Sequence, residues 1–397
     1  MSGAASLIAA PLWASPFRPF YLLGALYAPL AITGGAGALV GTVALPTTPQ
    51  LWHGHEMLFG FALAIIIGTV LTALPSWAGT PEMHGKPLAM LAALWLLGRV
   101  AFWAAPWLPP WSVALADALL LPVLTAMVTP QLFAVRNRLY LLLLPILLAL
   151  CAANLAYHGF ILAADAARAS KSLHAGVYAV IVLFLLKGGV LVPVFTGNAL
   201  RALGRGDQAS FNLALEAAAV VCVMLLAVLD LGGAASTWTG IAAAGCAGVH
   251  AVRTARWRGW LVAAQPLLIS LHLAFAWLVF AFGLKAASEL TSVVPAAAWL
   301  HAFTVGGLGM MMLGLMNRVA LRHTGRPLEV PVAMRVAYVL LFGAALLRLA
   351  ATVHGLGYWA VATAALLWAA PFVIYLALYG TALAQPSLPR AQPMQPI

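Results

Sequence analysis

Apolar stretches of about 20 residues recur along the whole chain, separated by short segments carrying glycine, proline and charge. Each stretch is long enough to cross a bilayer core of roughly 30 Å. None alternates with the period of two that a half-buried strand requires. Backbone polar groups in lipid must be satisfied within the membrane, so the pattern predicts helices. Twelve are predicted, over 19–43, 53–76, 88–105, 111–130, 139–163, 172–197, 210–230, 233–252, 260–285, 295–317, 331–353 and 356–382. The expected fold is an all-α polytopic membrane protein: residues 1–383 form a single transmembrane helical domain, and 384–397, rich in Pro and Gln, a disordered C-terminal tail. Met1 to Pro16 has no basic n-region and no clear cleavage site, so no removable signal peptide is expected.

Composition sharpens this picture in one respect. With 64% apolar and 7% charged residues the chain cannot stay in water as a globule, yet its net charge of +11 invites a nucleic-acid reading. The distribution of charge argues against nucleic acid. Most of the 20 lysines and arginines fall at the termini or in the 2–3, 4–5, 6–7, 8–9 and 10–11 loops, whereas the opposite loops hold Arg168, Lys171 and Lys285. The positive-inside rule then places both termini in the cytoplasm. Cys151, Cys222 and Cys246 fall in apolar helices without CxxC spacing and read as small buried hydrophobes.

This topology gives each histidine a depth. His53, His55, His158, His174, His301 and His354 gather at the outer face, His272 lies near mid-membrane, and His84, His250 and His323 are cytoplasmic. Predicted helices 2, 6 and 10 each open with a histidine on the outer side. His55, His174 and His301 are separated by nearly equal lengths of chain, four helices each, which suggests three pseudo-repeated four-helix units. His55 and His301 share a His-x4-Gly opening, to Gly60 and Gly306.

The densest chemistry is Trp52-His53-Gly54-His55-Glu56. Ionisable groups beside lipid are costly and mark a functional site by default. Two residues apart on a helix point roughly 200° from each other. His53 and His55 therefore converge only if His53 precedes the first turn; otherwise they serve different sites. Glu56 either fixes a ring tautomer or is an acid favoured at a helix start. Imidazole suits haem iron and copper, whereas the few acids within the helices disfavour a calcium or magnesium site. Met310-Met311-Met312 point around a helix and read as packing rather than as copper ligands. Lys187 is the deepest cation and needs a partner, with a cofactor carboxylate, Asp117 or Glu216 as candidates. Arg99 and Arg348 are expected to snorkel to the interface.

Arg18-Pro19-Phe20, the Trp52–Phe61 motif, Leu74-Pro75-Ser76-Trp77-Ala78-Gly79, His272-Leu273, His301-Ala302-Phe303-Thr304-Val305-Gly306 and His323-Thr324-Gly325-Arg326-Pro327 resemble the NnrS family. The resemblance spans nearly the whole chain. It implies a bacterial inner-membrane protein of about twelve helices with bound haem and copper, acting in tolerance of nitric oxide and nitrosative stress linked to denitrification. One stretch departs from the family pattern: Gly188-Gly189-Val190 and Phe195-Thr196-Gly197-Asn198 lack two arginines expected there. A weaker, architectural resemblance links helices 2, 6 and 10 to the haem–copper oxidase core, without that superfamily's tandem histidines on the seventh helix.

The expectation is a haem-binding, copper-binding membrane protein that acts on or senses nitric oxide. A b-type haem would be held by His55 or His53 and by His301. Copper or a second cofactor would be held by His174 with His158 or His272, and Lys187 would balance cofactor charge. The expected partners are the lipid bilayer and nitric oxide or a related small ligand, with no nucleic acid; no redox partner is indicated. Two rival readings are a secondary transporter for copper or an iron–nitrosyl species and a non-catalytic haem or copper assembly factor.

Overall fold

The computed structural model describes residues 10–389 except 44, 136, 137 and 292, and only the backbone of 139. Among the described residues there are twelve long helices and no strand. They are α1 (Phe17–Leu39), α2 (Pro49–Ala78), α3 (Lys86–Trp103), α4 (Pro110–Ala134), α5 (Tyr140–Leu162), α6 (Ala166–Ala202), α7 (Leu213–Gly232), α8 (Ser236–Arg256), α9 (Pro266–Thr291), α10 (Ala297–His323), α11 (Val332–His354) and α12 (Tyr358–Ala384). All except α8 are long and apolar enough to cross a membrane.

Local chemistry sets several ends. Thr48 caps α2 by accepting from Leu51 N, with Pro49 in the first helical position. Asp165 caps α6 through Arg168 N, and Asn212 caps α7 through Leu215 N. Gly79, Gly233 and Gly355 end α2, α7 and α11 in the left-handed conformation, with φ of 69°, 73° and 62°. The early cap on α2 starts that helix four residues before the sequence-predicted position, and α6 likewise begins six residues early. His53 is therefore helical rather than ahead of the first turn.

The three histidine-bearing helices lie at the centre. In α2, α10 and α6 the apolar windows are 83%, 72% and 67% buried within the protein, against 17–56% in the other eight candidate spans. A helix hidden from lipid on most of its circumference must be surrounded by other helices, as a threefold set of four-helix units requires. The outer helices follow one another around this core, and α12 returns to pack on α1.

The chain ends are tied at this closure. The buried Arg18 guanidinium donates to the carbonyls of Leu383 (2.8 Å) and Gln385 (2.6 Å) and to Ser387 Oγ (2.8 Å). Ser387 Oγ donates in turn to the His323 carbonyl, and Leu388 N to the Thr324 carbonyl. The start of the expected disordered tail, through Pro389, thus runs along the end of α10; residues 390–397 lie outside the described residues, as do residues 1–9 of the expected retained N-terminus. Nearby, Ser15 Oγ donates to Glu82, whose carboxyl is raised above the ordinary range chiefly by burial.

Several basic residues assigned to loops from sequence are structural. Lys285 is buried within α9, where it pairs with Asp230 (2.6 Å) and Glu289 (2.9 Å). Arg253 is buried within α8 and pairs with Glu216, and His250 is buried there too, bonded to the Ala219 carbonyl. Apolar period alone does not separate a loop cation from one that a neighbouring acid draws into the bundle. Replacing Arg18 by Ala removes charge-assisted bonds of about 1.5–3 kcal/mol each. The expected result is a lower thermal midpoint in detergent and faster limited proteolysis after Ala384; an unchanged cleavage rate would show that the tie does not hold the segment.

Candidate cofactor and metal centre

Both α2 and α10 widen into one π-helical segment immediately after their histidines, Glu56–Ala62 following His55 and Ala302–Leu308 following His301. Such segments are rare and concentrate at functional sites, because the inserted residue re-aims the side chains around it. Gly60 and Gly306 fall inside them. Gly60 makes room for Tyr27 and Arg99, and Gly306 for the Trp277 indole. The shared His-x4-Gly opening is thus matched by a shared backbone deformation.

His53 and His55, both helical, diverge into two groups. His55 points toward α3, α4 and α5 and is fully buried. Its Nδ1 lies 3.0 Å from Glu56 Oε1, and its Nε2 lies 2.9 Å from Asn154 Oδ1 and 3.3 Å from Asp117 Oδ2. His158 Nε2 donates to Asp117 Oδ2 (2.9 Å), as does Asn154 Nδ2 (2.8 Å). Arg99 bridges Glu56 and Asp117, and Tyr27 OH donates to Glu56. Phe102 and Tyr157 stack on the His55 ring at 4.2 and 4.5 Å. Both ring nitrogens of His55 therefore face oxygens of the protein, and Glu56 does fix the orientation of the ring.

Charge decides what this group can hold. With neutral imidazoles, two carboxylates and one guanidinium leave one net negative charge in an apolar surrounding. One proton or one monovalent cation brings the group to neutrality. His55, Asp117 and His158 offer ligand atoms within 4.8 Å of one another, a donor set that suits a transition metal. Arg99 competes with any metal for the Asp117 carboxylate.

The second group faces α1, α10 and α11. His53 lies against Gly35 of α1, where an added Cβ would come within 3.2 Å of its Nδ1. His53, His301 and Arg348 are close enough to interact electrostatically. His301 Nδ1–H donates to the Ala297 carbonyl at 2.8 Å, which leaves Nε2 as the nitrogen with a lone pair. Arg348 donates to Thr352 Oγ1 at 2.6 Å and has no carboxylate partner among the described residues. Beside α10, the indole N–H groups of Trp277 and Trp368 are buried without an acceptor.

The remaining sequence candidates do not join either group. His174, in the third turn of α6, donates from Nδ1 to the Ser170 carbonyl and lies 6.4 Å from the Trp299 ring. His272 shares a hydrogen bond with Thr196 Oγ1 at the other end of α6. The 22 residues between His174 and Thr196 span roughly 33 Å of helix, so His174 and His272 cannot share one metal ion. His158 joins His55, with ring centroids 5.3 Å apart, and not His174.

Lys187 meets neither proposed carboxylate, because Asp117 is taken by Arg99 and Glu216 by Arg253. Its Nζ instead sits 3.6 Å from the Trp77 ring centre and 4.2 Å from that of Tyr140, two rings stacked on each other. Beside it is an apolar cavity of about 80 Å³ walled by α2, α6 and α10. The partners the structure gives Lys187 are therefore these two rings. Near Val190, where the family resemblance leads us to expect an arginine, the Arg253 guanidinium packs against Gly189, so a cation enters there from another helix.

Sequence reading missed Arg99, Asp117 and Asn154 as one group with His55. An acid and a base on consecutive apolar helices were the available signal, since an intramembrane charge calls for a partner. Arg99 is buried and ion-paired rather than snorkelling.

The NnrS protein family matches residues 11–387, nearly the whole chain, and the chain belongs to that family. No curated protein matches it.

Replacing Arg99 by Met strands two buried carboxylates and is expected to cost about 3–5 kcal/mol. Adding Asp117→Asn is expected to restore part of that loss. Thermal midpoints of the single and double variants in detergent test the coupling; strictly additive losses would show that the two side chains act independently.

Proposed function

We propose that this member of the NnrS family is a haem- and copper-binding protein of the bacterial inner membrane that acts in the response to nitric oxide. The observation that carries the reading is that His53 and His301, on the two helices with matching π segments, lie within electrostatic range of each other and of Arg348, which has no carboxylate partner among the described residues. The donor chemistry fits a haem: two imidazoles for iron, a guanidinium for a haem carboxylate, and indole N–H groups that lack acceptors. When bound, haem supplies an iron able to take nitric oxide as a ligand. The chain's own contribution is to orient the His301 ring through Ala297 and to keep the site among apolar helices.

His53, rather than His55, is the partner of His301 in this proposal, because the His55 ring is turned toward α3, α4 and α5, where it meets Phe102, Asp117 and Asn154. Copper belongs with the His55–Asp117–His158 set, whose two imidazoles and carboxylate are ligands of the kind copper takes. The clustering of basic residues outside the buried pairs supports a topology with both termini in the cytoplasm.

Purified protein from cells grown with haem and copper is expected to show a Soret band that shifts on addition of nitric oxide. His53→Ala and His301→Ala are each expected to lose most of the haem, and His55→Ala to keep it. His158→Ala is expected to lose copper while retaining haem. A full Soret band in both His53→Ala and His301→Ala would refute the haem assignment, and undiminished copper in His158→Ala would refute the metal assignment.

A further inference from the structure

At the membrane end where α10 finishes, a cleft of about 750 Å³ opens between the start of α9, the end of α10, the 10–11 loop, the start of α11 and the end of α12. Three guanidinium groups line it, from Arg318, Arg326 and Arg335, against one carboxylate, Glu329. None of the three arginines has an acid within ion-pairing distance among the described residues. Arg318 packs its guanidinium 3.8 Å from the Phe195 ring centre, Arg326 donates to the Thr324 carbonyl at 3.5 Å, and Arg335 donates to the Val330 carbonyl at 3.1 Å. Of the buried cations elsewhere among the described residues, Arg99, Arg253 and Lys285 meet carboxylates, and Arg18 is satisfied by two carbonyls and the Ser387 hydroxyl. This cleft therefore has an excess of positive charge that the fold leaves unmatched.

A second, independent observation points to a ligand. Tyr379 lines the cleft from α12 with 3% of its surface exposed, and its hydroxyl has no hydrogen-bond partner. A buried hydroxyl without a partner is costly, and an oxyanion within the cleft would accept from it. The long helix α9 begins at Pro266 in the wall of the cleft, and a helix N-terminus favours negative charge.

We propose that this cleft binds the phosphodiester headgroup of an anionic phospholipid such as phosphatidylglycerol. The rest of the wall argues for a lipid over a soluble anion. Leu267, Leu268, Leu321, Leu328 and Leu378 surround the arginines with apolar surface, and the cleft sits at the end of helices that cross the bilayer. Basic pockets between transmembrane helices at the cytoplasmic side bind such headgroups. The volume falls in the range of pockets for ligands of this size.

The test uses the full-length protein, delipidated in neutral detergent. Thermal midpoint and native mass spectra are recorded with phosphatidylglycerol, phosphatidylcholine or inorganic phosphate. Phosphatidylglycerol is expected to raise the midpoint and to stay bound in the gas phase, and the other two to do neither. The double variant Arg318→Gln/Arg335→Gln is expected to weaken phosphatidylglycerol binding by about tenfold or more. Tyr379→Phe, which keeps the ring and removes only the hydroxyl, is expected to weaken it by a smaller factor and covers the case in which the double variant does not fold. Equal stabilisation by phosphatidylcholine would overturn the proposal, as would full binding by both variants. Protection by inorganic phosphate equal to that by phosphatidylglycerol would also overturn it, by making a soluble anion the ligand.

Discussion

A charge cannot be left alone between apolar helices, and that constraint organises the interior of this protein. Arg99 meets it by standing between Glu56 and Asp117, one on α2 and one on α4. The same ion bridge fixes the height of α3 against its neighbours and holds the His55 ring through Glu56. The arrangement repeats with other residues: Arg253 with Glu216 joins α8 to α7, and Lys285 with Asp230 joins α9 to α7. Since desolvating two ions costs nearly what their attraction returns, these bridges select one packing more than they add stability.

The helical architecture was legible because its cause is local. A run of about 20 apolar residues spans a bilayer whatever surrounds it, and all twelve runs became helices. The equal spacing of His55, His174 and His301 singled out α2, α6 and α10, the three spans most buried within the protein. Which way each histidine faces was less accessible. The start of α2 depends on Thr48 and Pro49, a cap signal that stands in the sequence but lies outside the apolar run. Once the helix starts there, His53 and His55 must part, and one expected site becomes two groups. The pairing of Arg99 with Asp117 rests on contact between helices, which no local pattern records. The π segments have no sequence signature beyond the glycine that His55 and His301 share at the same distance.

Around Gly189 of α6 the space beside the backbone is filled by a side chain from another helix. Gly188 and Gly189 are followed by Val190, and the guanidinium of Arg253 from α8 occupies the space over Gly189. Lys187, a turn earlier, turns instead to a pair of stacked aromatic rings.

The closure of α12 on α1 has a topological consequence. The polypeptide enters and leaves the bundle at neighbouring points on one side, with Arg18 binding directly to the segment that follows the last helix. A ring of this kind has no intrinsic first member: the order in which its helices are strung along the chain is a separate matter from the way they pack, and the seam is simply the place where α1 and α12 meet.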